Sequence, residues 1–120
     1  MSEVIASTMF PSKALEHFET LVSLMFFHLT VALPQGETLE PFLREVTLVI
    51  FKLKTEFETN RMLSALVPTS RRFRVAKFHN NLASIIGETL QAILSQFPPA
   101  YHTQIEPLLS SLRNYHIDDT

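Results

Sequence analysis

Apolar residues recur along this chain in steps of three and four, and proline-bearing breaks at Pro34-Gln35-Gly36, Val67-Pro68-Thr69-Ser70 and Phe97-Pro98-Pro99 divide them into four runs. Such steps keep one face of a 3.6-residue helix apolar, so each run predicts an amphipathic helix. The predicted helices cover about residues 12–33, 39–65, 71–96 and 101–115 of a single helical domain over 1–120. Period-two alternation does not persist in any long segment, which predicts no sheet.

In the first run Leu15, Phe18, Val22, Met25, Leu29 and Ala32 form the seam, with Ser12 after Pro11 as a candidate N-cap. Leu21, Leu24, Phe26, Phe27, Val31 and Leu33 make its second half apolar almost all round, the pattern of a central helix covered on several sides. The second run sets Phe42, Val46, Val49, Leu53 and Phe57 on one stripe, Leu43 and Ile50 beside it, and Lys52, Lys54, Glu56 and Glu58 off it. Its middle, Val46 to Leu53, is β-branched and aromatic enough for a strand, but the length and the lack of an internal turn favour helix. The third run repeats Val75, Phe78, Leu82, Ile86, Leu90, Ile93 and Phe97. In the fourth, Tyr101, Ile105, Leu108, Leu112 and Tyr115 are in register, and Thr103-Gln104-Ile105-Glu106 matches a capping box. The phrases Leu39-Glu40-Pro41-Phe42-Leu43 and Ile105-Glu106-Pro107-Leu108-Leu109 are alike, as two helix openings should be, because proline and glutamate both suit a first turn. Short breaks between long helices imply antiparallel neighbours. The expected fold is all-α, an antiparallel bundle of about four helices.

Composition adds a partner to this picture. With 46% hydrophobic and 18% charged residues in 120, the chain is apolar for a domain so small, and the excess predicts burial between copies, most simply in a homodimer. The absence of cysteine excludes disulfides, thiolate zinc sites, iron–sulfur clusters and cysteine nucleophiles. Two glycines, Gly36 and Gly87, cannot build a dinucleotide fingerprint or a Walker loop. The longest apolar stretch, Leu21 to Leu33, spans 13 residues broken by Ser23, His28 and Thr30. A bilayer needs about 20. Met1 to Lys13 lacks a basic segment followed by an apolar one, so the expectation is a cytoplasmic protein without membrane association.

Candidate chemistry is sparse. None of His17, His28, His79, His102 and His116 has a glutamate three residues before it, and HExxH is absent, so no metal site is expected. No Gly-x-Ser-x-Gly elbow exists. His28 and His79 remain as possible polar or acid–base groups, His28 because an imidazole on an apolar helix needs a hydrogen-bond partner. A catalytic role and a cofactor are not expected.

The stretch Ala76-Lys77-Phe78-His79-Asn80-Asn81-Leu82-Ala83-Ser84-Ile85-Ile86-Gly87 resembles the segment that follows the phospho-accepting histidine in the dimerisation helix of sensor histidine kinases. The resemblance covers a dozen residues and implies a dimerising helical hairpin. Counting back from Leu82 puts Ala76 at the acceptor position, with His79 three places late, and the chain has no room for the family's ATP-binding domain.

Charge is the most informative feature. Residues 1–58 carry four bases and eight acids, and residues 88–120 one base and four acids. Between them, residues 59–87 hold Arg61, Arg71, Arg72, Arg74 and Lys77 and no acid, a window of +5 between flanks of −4 and −3. Arg71 and Arg72 fall in the expected first turn of the third helix, where cations oppose the dipole. Pairing with Glu37, Glu40, Glu56 or Glu58 would offset this internally; an acidic partner would do so externally. An isoelectric point near 6.2 disfavours nucleic acid. The sequence therefore points to a non-enzymatic, self-associating protein–protein interaction or regulatory module that binds an acidic protein partner through Arg71, Arg72, Phe73, Arg74 and Lys77. The alternatives are a small apolar-ligand or lipid binder with a Phe-rich interior around Phe26, Phe27 and Phe51, and a histidine phosphotransfer or kinase-dimerisation-like signalling protein using His79 or His28.

Overall fold

The computed structural model describes residues 13–113, apart from the side chains of Thr69, Arg72, Phe73 and Arg113. These residues form four helices and no strand: α1 (Ala14–Phe27), continued by a π-helical turn (His28–Ala32), α2 (Leu39–Ser64), α3 (Thr69–Leu94) and α4 (Pro99–Arg113). The four pack against one another. None is long and apolar enough to cross a membrane.

The breaks follow from backbone chemistry. Pro34 has no N–H to give the Thr30 carbonyl and its ring crowds that carbonyl, so the α-pattern cannot continue through it. Instead Leu33 N–H donates to the His28 carbonyl at 2.7 Å, the wider π-type link. Gly36 then closes the helix at φ +86°, with Glu37 N–H bonded to the Ala32 carbonyl and Gly36 N–H to that of Leu33. That is the Schellman arrangement, whose left-handed residue is best a glycine. At the other end of α1, the Lys13 N–H donates to the Glu56 carboxylate of α2 at 3.3 Å, satisfying a donor that a helix start leaves open. Ser12, the expected cap, lies outside the described residues.

The fourth helix departs from its expected opening. It starts at Pro99, so Thr103 is in its second turn and its hydroxyl donates back to the Pro99 carbonyl. The capping box is therefore not a cap. Pro107 likewise sits inside the helix, unlike Pro41 in the first turn of α2, so the two similar phrases occupy different places.

The core stripe of α2 is the expected one: Phe42, Val46, Val49, Ile50, Leu53 and Phe57 are all buried. On α3 the expected Val75, Ile86, Leu90 and Ile93, with Phe97 just beyond its end, are buried and Leu82 is half-buried; the departure is local to Phe78. Ala76, His79, Ala83, Ile86 and Leu90 face inward while Phe78 is exposed. On α1 the buried seam is Ala14, Leu21, Met25, His28 and Ala32, with Leu15 outside. The expectation of a central first helix also fails. The broader contacts with all three other helices belong to α2 and α3, while the first helix meets α4 through His28 of its π-turn. Phe26, Phe27 and Val31 of α1 and its π-turn are left exposed, since no element of the described chain lies over them.

Candidate functional site

The exposed face of α3 is where the basic window is presented. Arg71, Arg74, Phe78, Asn81 and Ile85 follow one another by three and four residues, which lines them up along one side of a helix, and each is exposed. Lys77, also exposed, lies one turn beyond Arg74. None of Arg71, Arg74 and Lys77 joins an ion pair among the described residues. Two of the acids expected to neutralise them are engaged elsewhere: Glu58 accepts from Arg61 at 2.6 and 2.7 Å, and Glu56 accepts from the Lys13 N–H. Arg71 sits in a first turn that holds no acid, so its charge is not offset there by a neighbouring carboxylate. Phe78, expected in the core, is instead the aromatic of this face. The side chains of Arg72 and Phe73 fall outside the description. Glu88, one turn past Ile85, ends the face with the opposite sign.

The two candidate histidines are both interior. His28 is 5% exposed; its Nε2 and the Tyr101 hydroxyl share a hydrogen bond at 2.7 Å across 73 residues of sequence. Its ring stacks on Phe42 with centroids 4.2 Å apart, and Phe97 and Tyr101 complete the aromatic cluster. Burial pushes the His28 pKa below its ordinary 6.5, opposed in part by the Glu37 carboxylate. Burial pushes the Tyr101 phenol up. A neutral imidazole can complete this bond in either tautomer, so the pair reads as a satisfied interior contact. His79 is 1% exposed and meets the ring of Phe57 edge-on, with centroids 5.4 Å apart. Phosphotransfer needs an imidazole that a partner's phosphoryl group can reach, and His79 is sealed between α2 and α3.

A cavity of about 250 Å³ opens beside His28, lined by Phe27, Thr38, Phe42 and the carboxyl-bearing Glu37 and Glu45 among others. Its two acids suit a cationic or hydrogen-bonding group better than a lipid tail, which would desolvate them without compensation. The Phe-rich interior expected around Phe26, Phe27 and Phe51 is not there, because all three rings are exposed; among the described residues the buried phenylalanines are Phe42, Phe57 and Phe97. Among the described residues no group of three or more His, Cys, Asp or Glu side chains could hold a metal ion.

Two features escaped the sequence reading. The His28 and Tyr101 partnership joins helices 73 residues apart and leaves no local signal. The second is an apolar set on the outward face of α2, comprising Leu48, Phe51 and Met62, with Leu66 in the turn after it. Its three- and four-residue spacing was visible in the sequence, but the stronger stripe on the opposite face masked it. Comparison with protein-family models, with curated proteins and with solved structures finds no match to this chain.

Proposed function

We propose that this chain is a non-enzymatic helical interaction module, an antiparallel bundle working in the cytoplasm, that self-associates and engages an acidic protein surface through α3. The observation that carries this reading is the outward face of α3, where Arg71, Arg74 and Lys77 stand exposed beside Phe78 and Ile85 and outside any ion pair among the described residues. Arginine and aromatic side chains together are the composition of interface centres. Because no ion pair among the described residues takes up these bases, their positive potential is available to steer an acidic partner. The three short breaks between helices support the antiparallel order.

The test is an unbiased selection of displayed helical peptides against the purified protein. Enriched sequences should carry Asp or Glu with apolar residues at three- and four-residue spacing. A selected peptide should bind the Arg74→Glu, Lys77→Glu double variant at least about tenfold more weakly, and wild-type affinity should fall as the Debye length shortens from about 10 Å at 0.1 M salt to about 3 Å at 1 M. The control Lys52→Glu, Lys54→Glu changes two bases on another helix and should bind as before. Enrichment of neutral or basic peptides, or equal binding to the α3 variant, overturns the reading.

A further inference from the structure

We infer that a second copy of this chain docks antiparallel on the outward face of α2, the apolar N-terminal part of one copy's face meeting the apolar C-terminal part of the other's. The inference deepens the self-association in the reading above and assigns it a surface separate from the basic face of α3.

Positions Arg44, Leu48, Phe51, Thr55, Glu58 and Met62 follow one another by four, three, four, three and four residues, the spacing of a coiled-coil seam, on the side of α2 opposite its core stripe. Leu66 extends the line in the closing turn. Leu48 is 57% exposed, Phe51 65%, Met62 67% and Leu66 79%, with Leu63 at 37% beside them. Taking a fully exposed large apolar residue at about 150–200 Å², these five offer on the order of 500 Å² of surface per copy. A standard interface buries about 800 Å² per partner, so the seam and its polar flanks suffice for a modest dimer. A patch this large is at the upper end of what a monomer leaves uncovered.

The arrangement of the patch selects a second copy as its occupant. The apolar residues lie in two groups, Leu48 with Phe51 and Met62 with Leu66, and the stretch between them is Thr55, Glu58 and Thr59. Two helices related by a two-fold axis and running in opposite directions place each group on the other's counterpart. Set with the axis between residues 56 and 57, Phe51 comes level with Met62 of the second copy and Thr55 with its Glu58, while Leu48 falls one residue from level with its Leu66. Lys54 and Glu58 project on the same flank of the seam, so each Lys54 lies within one residue of level with the Glu58 of the other copy. Glu58 is already held by Arg61 at 2.6 Å, which orients its carboxylate for a second cation. Parallel pairing in register would instead stack Glu58 on Glu58 and Arg44 on Arg44, like charges across one seam. The antiparallel pair is isologous and closes on itself.

The absence of cysteine from the chain makes a clean test possible. Wild-type protein should sediment as a dimer at concentrations on the order of 100 µM, above the micromolar Kd that a modest interface reaches. Oxidising a mixture of Phe51→Cys and Met62→Cys proteins should give a cross-linked pair, and neither variant alone should cross-link at a comparable rate. Phe51→Glu with Met62→Glu should raise the dimer Kd at least about a hundredfold while circular dichroism stays helical, since both side chains are exposed. A monomeric wild type, self-cross-linking of Phe51→Cys at the mixed rate, or a dimer that survives the double glutamate variant each overturns the inference. The double glutamate variant should still bind the acidic peptides selected above. A monomer that binds them leaves the functional reading standing without this interface, and a dimer that selects no acidic peptide does the reverse.

Discussion

Replacing Tyr101 by phenylalanine removes one oxygen from a site where it has a single described partner, and its cost can be worked from the surroundings. The hydroxyl is 2.7 Å from His28 Nε2, and both residues are 5% exposed, so water is poorly placed to substitute. Phenylalanine keeps the ring contacts to Phe97 at 5.1 Å and to His28 at 5.4 Å, and it opens no cavity of consequence. What remains is the cost of a buried imidazole nitrogen left without its partner, about 1–3 kcal/mol. Urea titration of Tyr101→Phe should therefore show a stability loss near 2 kcal/mol, with m unchanged, and the Tm should fall by about 5–10 °C. His28→Leu, close in volume, should cost a comparable amount by stranding the tyrosine hydroxyl and losing the stack on Phe42. The double variant leaves no stranded group, so it should be less destabilised than the sum of the two, with a coupling of about 1–2 kcal/mol. A loss below about 0.5 kcal/mol for Tyr101→Phe, or strict additivity in the cycle, would refute the reasoning. The aromatic cluster alone would then be holding α1, α2 and α4 together at this end.

The same histidine sets a pH dependence. Its pKa in the folded state lies below 6.5, so the unfolded chain takes up the proton first as pH falls; its contribution is complete above about pH 6.5 and declines below it, by at most about 1.36 kcal/mol per pH unit. Denaturation at pH 7.5, 6 and 5 should show the gap between wild type and His28→Leu closing toward acid, and Glu37→Gln, which removes the carboxylate that opposes the shift, should steepen the wild-type loss. Gly36→Ala should cost about 1–2 kcal/mol in a thermal melt, from the left-handed φ of +86° alone, because nothing lies within 4 Å of the added methyl carbon. The exposure of Phe78 and burial of Ile86 on α3 predict a contrast: Phe78→Ala should stay within about 0.5 kcal/mol of wild type while Ile86→Ala costs about 2–5 kcal/mol. Equal losses would place Phe78 back in the core.

The local chemistry of the chain was enough to determine its helices and where they break. Pro34, Pro68, Pro98 and Pro99 act through a missing N–H and a fixed φ, and Gly36 through its freedom at positive φ, none of which needs a distant residue. The inward stripe of α2, from Phe42 to Phe57, was equally legible, because one face was far more apolar than its flanks. Where apolar residues lay on several sides of a helix, periodicity fixed the turn and left the inward direction open. Phe78 and His79 are neighbours 100° apart, and only the packing of α3 on Phe57 decided that the imidazole goes inside and the phenyl ring outside. Leu15, Phe26, Phe27 and Phe51 are apolar enough for any core, yet among the described residues no element covers them. The tertiary structure also decided which charges are neutralised. Glu58 is taken locally by Arg61 one turn along the same helix, but Glu56 is engaged because α2 sets it against the start of α1, so two acids that might have quenched Arg71 and Arg74 are engaged elsewhere. Charge along a sequence gives the sign of a window, but its availability to a partner depends on distances between helices, which no local pattern encodes.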